Sequence, residues 1–162
     1  MTVTDDAVAD NIPDSVPDNV PEFAPYLDDP LYSPFWDAAA RGTVALPACP
    51  DCGVFQWYPL PGRPCGHEGP LEWRDLPGTG TIFTFTRIER AFLPSGSTPP
   101  YTSVLVELDG APGPRLVSVL VGEGSAGPVI GDRVRLSPTV FATHTLPTFT
   151  LDNATTRHEG LS

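Results

Sequence analysis

Cys49, Cys52, Cys65 and His67 fall close together in the chain and are the residues most able to do chemistry. The first two belong to Cys49-Pro50-Asp51-Cys52-Gly53, a C-x-x-C pair followed by glycine. That is the pattern of a tight turn aiming two thiolates and nearby N–H groups at one metal ion. The facing partner is Cys65-Gly66-His67-Glu68, which offers a third thiolate and a choice of fourth ligand. His67 fits by chemistry, because zinc accepts imidazole readily. Glu68 has the usual x-x spacing, but a carboxylate is the less common structural ligand. The expected set is Cys49, Cys52, Cys65 and His67 around a structural zinc, worth on the order of 10 kcal/mol to a module too small for its own core. The alternative is a ribbon without metal, held by Trp57, Tyr58 and Trp73. A redox role for the C-x-x-C pair needs a βαβ setting, and the sequence offers none.

Other reactive patterns are sparse. There is no G-x-S-x-G elbow, and His144 and His158 have no nucleophile pattern beside them. Gly122-Glu123-Gly124-Ser125-Ala126-Gly127 fits G-x-G-x-x-G, but Pro128 and Gly131 follow where a helix would have to begin, so a loop is expected. Phe83 and Phe85 share one face of a strand by period two, with Ile82 and Thr84 on the other. They are candidates for ligand contact, with core packing as the alternative. Arg87 and Arg90 are candidate phosphate contacts, although Glu89 lies between them. No residue is assigned a catalytic role.

These groups need elements to position them. Ser33-Pro34-Phe35-Trp36-Asp37-Ala38-Ala39-Ala40-Arg41-Gly42 reads as a short helix, with Ser33 as cap, Pro34 at the first helical position and Arg41-Gly42 at the end. Leu31, Phe35 and Trp36 would form an apolar patch, which so short a helix must dock on its own barrel or on another subunit. Residues 43–75 are rich in turns. Then come alternating β-rich runs at 81–88, 101–108, 115–121 and 132–136, each bounded by Gly, Pro or Asp. About five short strands suggest a small closed barrel, since closure removes exposed edges. Gly78 and Gly80 would let its first strand bend. The expected layout is a disordered acidic arm at 1–28, a helical segment at 29–42, a ribbon at 43–76, a barrel at 77–151 and a tail at 152–162.

Charge narrows the partners. The chain of 162 residues has a formal net charge of -11, with 21 Pro and 15 Gly. Nine acidic residues precede Arg41, the first basic one, and there is no Lys, so the acidity is concentrated in the N-terminal arm. Gripping nucleic acid or an anionic membrane requires clustered cations, which this pattern does not supply. There is no signal-peptide pattern and no apolar run of membrane-spanning length, so a cytoplasmic protein is expected.

The succession Phe35-Trp36, Cys49-x-x-Cys52-Gly53, Arg63-Pro64-Cys65, Leu71-Glu72-Trp73, Gly78-x-Gly80-Thr81, Pro100-Tyr101, Val106-Glu107-Leu108 and Gly131-x-x-Val134 resembles the acyl-CoA-associated family called domain of unknown function thirty-five, over roughly residues 30–151. The resemblance implies a mainly β chain with an N-terminal helical segment, a rubredoxin-like zinc ribbon and a five-stranded OB-fold barrel. It also implies a non-catalytic subunit bound to a thiolase-like aldolase of steroid side-chain degradation, or to a thiolase or acyl-CoA hydratase. In such an assembly the barrel would help hold the CoA thioester. The family pattern has two C-x-x-C turns, whereas this chain has one Cys in the second. A nucleic-acid-binding OB fold and a free-standing thioesterase are the competing expectations.

Overall fold

The structure, a computed structural model, describes residues 20–21, 27–60, 62–90 and 99–152. Most of the expected arm, the tail beyond Asp152 and His158 lie outside the described residues. Val20 and Pro21, within the arm segment, are buried, and Val20 packs against Val119, Val121 and Leu146.

Helix α1 runs over Ser33–Ala40. Ser33 is its first residue and not its cap: Tyr32 holds the cap position, and no side chain bonds the free amides there. Asp29 compensates, since its carbonyl accepts from the Tyr32 and Ser33 amides. The far end closes through Gly42, whose left-handed φ of 76° lets its amide reach the Ala39 carbonyl and the Thr43 amide reach that of Ala38. A residue with Cβ would be strained in that backbone conformation.

The turn-rich stretch contains a hairpin the sequence pattern concealed. β1 (Val44–Ala48) pairs antiparallel with β2 (Glu72–Leu76), from Val44 opposite Leu76 to Ala48 opposite Glu72. β1 does not alternate because all five of its residues are buried: α1 packs against it, and Val44 and Leu46 belong to the core cluster shared with the barrel. Cys49 lies at its end, and the loop back to β2 carries the other metal-binding candidates.

The barrel is closed in the order β3-β4-β5-β9-β6, built from β3 (Thr79–Ile88), β4 (Tyr101–Leu108), β5 (Arg115–Val121), β6 (Arg133–Leu136) and β9 (Phe149–Leu151). A small hairpin, β7 (Thr139–Val140) with β8 (Thr145–Leu146), precedes β9 and touches α1. Closure falls at Gly80, which pairs with Leu108 of β4 on one edge and Val134 of β6 on the other. A Cβ on Gly80 would stand 2.5 Å from the Glu107 carbonyl oxygen, so close approach at this seam requires glycine. Arg133 and Asp109 pair across the same seam, with Thr79 donating to Asp109 at 2.5 Å and Arg133 donating to Thr81 at 3.0 Å.

One apolar core runs through helix, hairpin and barrel: Phe35 of α1 and Leu46 of β1 join the cluster containing Ile82, Val104, Leu120 and Phe149. The mainly β class, short helix and five-stranded OB barrel are as expected. The segment after β5 is a run of turns, Ser125 bonding back to Gly122 and Gly127 to Gly124.

Candidate metal centre and apolar groove

The four side chains expected to hold a metal come together. One ligand atom from each of Cys49, Cys52, Cys65 and His67 lies within 4.8 Å of all the others. His67 Nδ1 stands 3.5 Å from Cys49 Sγ and 3.4 Å from Cys65 Sγ. A tetrahedral zinc with ordinary bond lengths to sulfur and nitrogen would place such atoms about 3.5 Å apart. The donor set therefore fits a soft divalent ion. Glu68 is not in the cluster.

The local backbone explains the convergence. Past β1, the Cys49 amide donates to Val54 O at 2.9 Å and the Gly53 amide to Cys49 O at 2.8 Å, folding the first turn tightly. Cys49 is buried, Cys65 half-buried, and Cys52 and His67 exposed. Burial pushes the Cys49 thiol up, but hydrogen bonds from the Cys52 and Asp51 backbone and from the neighbouring thiols outweigh it, bringing it from 9.0 to about 6. At Cys52 the Val54 amide pulls the thiol down, while burial and the nearby Cys49 and Cys65 sulfurs push it up, and the net direction is upward. A sulfur already favoured as thiolate in the interior is what a metal ligand requires.

Arg63, which the sequence did not single out as a site residue, completes this centre. Its side chain is 4% exposed, and it donates to Asp51 Oδ2 at 2.5 Å and to Cys49 Sγ at 3.3 Å.

A second feature lies where α1, the Trp57-Tyr58 segment and the outer side of the barrel meet. It is an apolar groove of about 600 Å³ whose walls include Trp36, Trp57, Tyr58, Ile88, Tyr101 and Val117. Trp57 stacks on Tyr58 and packs against Phe35, with centroids 5.0 and 4.5 Å apart. Of the three residues expected at a partner interface, Leu31, just before α1, is exposed, Trp36 is half-buried in the groove wall, and Phe35 is buried in the core while also lining the groove.

Phe83, Phe85, Arg87 and Arg90 do not line this groove. Moreover, Phe83 and Phe85 do not share a face: a bulge between Ile82 and Thr84 breaks the alternation, so that Phe85 stands opposite buried Val104. Phe83 points outward instead, under the Arg115 guanidinium at 3.6 Å from the ring centroid. Arg87 pairs with Glu89 at 2.6 Å and also donates to Ala126 O, and Arg90 is exposed. Phe83 thus lies apart from Phe85 and Arg87, and both rings are exposed.

The family model for the C-terminal OB-fold domain of ChsH2 matches residues 73–138, from β2 to just past β6. Residues 73–138 are therefore similar to a ChsH2-type OB-fold domain. Among solved structures, the chain resembles one described as an Ltp2-ChsH2(DUF35) aldolase, with 26% identity and a TM-score of 0.69, over 79% of this chain and 98% of that one. It also resembles a DUF35 protein of unknown function from Sulfolobus solfataricus, 12% identical with a TM-score of 0.54, over 78% of this chain and 89% of that one; this likeness is of fold. No curated protein matches the chain.

Proposed function

We propose that this chain is a non-catalytic accessory subunit that binds and stabilises a thiolase-like aldolase cleaving a carbon–carbon bond in a β-hydroxyacyl-CoA, with a steroid side-chain thioester as substrate. The observation that carries the reading is the likeness to the Ltp2-ChsH2(DUF35) aldolase chain, which this chain matches over nearly all of that chain's length. The groove supports it, because an aromatic-walled apolar cleft between three segments is the kind of surface on which protein partners find anchoring contacts. Zinc in the Cys49, Cys52, Cys65 and His67 cluster is structural in this reading, and it would hold the ribbon that forms one wall of the groove. The partner supplies acid, base and most of the CoA pocket, and the complex is cytoplasmic.

The experiment is co-expression with a thiolase-like aldolase followed by size-exclusion chromatography and an assay for retro-aldol cleavage. A stable heteromer that is active only when both chains are present is expected. Separate elution at micromolar concentrations, or turnover of an acyl-CoA by this chain alone, would overturn the proposal.

A further inference from the structure

The Cys/His cluster is spanned by a charged side chain that is not one of its ligands. Arg63 sits two residues before Cys65, buried in a ribbon with little core of its own. A guanidinium is tolerated out of water only where its donors are met, and here four hydrogen bonds engage all three of its nitrogens. Nε donates to Gly69 O at 2.9 Å and Nη2 to Pro70 O at 2.7 Å, while Nη1 reaches both Asp51 Oδ2 and Cys49 Sγ. Asp51 belongs to the first Cys turn, whereas Gly69 and Pro70 follow the second, on the way into β2. One planar group therefore ties both turns to the returning chain. The fit is close, for a Cβ on Gly69 would stand 3.1 Å from Nη2. Charge agrees with geometry: three thiolates and a neutral imidazole around a divalent ion leave one negative charge, the Asp51 carboxylate adds a second, and the guanidinium between them offsets one of the two.

We infer that Arg63 is a metal-independent latch, holding the two turns at ligating distance so that the ribbon keeps its fold when the metal leaves and refills without refolding. The latch stands on Arg63's own contacts; refilling rests on the reading of the four residues as a metal site. In this the ribbon departs from small metal modules whose folding free energy is their metal-binding free energy.

The test uses the full chain, loaded or stripped with a chelator, and hydrogen exchange over residues 49–71. Stripped wild type is expected to exchange there within about threefold of the loaded protein. Stripped Arg63→Ala should exchange about tenfold faster or more, with β4 and β5 unchanged. Cobalt(II) titration supplies a second readout: Arg63→Ala should bind about tenfold more weakly, and Arg63→Lys should fall between, because an ammonium cannot reproduce the fork. If Arg63→Ala fails to accumulate, Asp51→Asn, which removes one contact, should speed exchange in the stripped ribbon about threefold. Equal exchange in stripped wild type and variant, or a wild-type ribbon that opens fully on stripping, would overturn the latch. A wild type giving no thiolate-to-cobalt band would refute the metal reading, while the exchange comparison would still decide the latch.

Discussion

His67 is where residue chemistry departs most from a four-cysteine pattern, and its role can be isolated. Its Nδ1 lies against two of the three sulfurs, so His67→Ala removes one of four donors and leaves the thiolates in place. Metal content after dialysis against a weak chelator should fall about tenfold or more relative to wild type, while the far-ultraviolet spectrum of the barrel stays the same. Asp109 offers a test of a different kind. Hydrogen bonds from Arg133 and Thr79 hold its carboxyl down from 3.8 to about 2. A depressed folded value means that the pair adds stability above the unfolded carboxylate's range and loses it as pH falls toward 2. Both side chains are more than a third exposed, so screening reduces the contribution to about 1 kcal/mol. In urea titrations the wild type should lose more stability than Asp109→Asn between pH 5 and pH 2. Parallel curves would remove this pair from the acid response. The Cys and His cluster was legible in the sequence because metal chemistry dictates residue type and spacing together. Arg63 was not, because its role exists only once Asp51, Gly69 and Pro70 have been folded around it.

The helix and four barrel strands were legible as elements for the same reason that they are stable: apolar residues recur with the period of the structure they form. β1 escaped because a strand buried on every side has no alternation to read, and its Pro47 argues against a strand in sequence terms. The pairing of Phe83 with Phe85 failed because period two holds only while the ladder is regular, and one extra residue at the bulge turns every later side chain over. Gly80 was expected to ease a bend. Its role is narrower, since β4 leaves no room for a side chain there. Gly80→Ala should cost about 2–3 kcal/mol of stability, measured by chemical unfolding, because the clash is with backbone that cannot rotate away. Gly127→Ala, whose Cβ would meet nothing within 4 Å, is the control and should change stability by less than about 0.5 kcal/mol. A similar small effect at both positions would mean that the seam yields more easily than its packing implies.

Across the whole molecule, the groove is the feature no single stretch of sequence announces: its walls come from α1, the loop after the first Cys turn, strands β3 to β5 and the link from β8 to β9. A contiguous apolar patch on a surface marks an interaction site, and within this one Tyr58 is 54% and Val117 52% exposed. The two can be removed without touching the shared core, since neither belongs to it. If the aldolase docks here, Tyr58→Ala combined with Val117→Ser should leave the unfolding free energy within about 0.5 kcal/mol of wild type. The same change should weaken assembly about tenfold or more, as loss of a central aromatic anchor does. Phe83→Ala is the matched comparison, because Phe83 is also an exposed aromatic on the barrel but lies outside the groove and under Arg115. Titration of each variant against the partner, followed by light scattering, separates the two surfaces. Weaker assembly from Phe83→Ala with none from the double variant would move the docking face to the barrel surface around Phe83 and Arg115 and leave the groove without a partner.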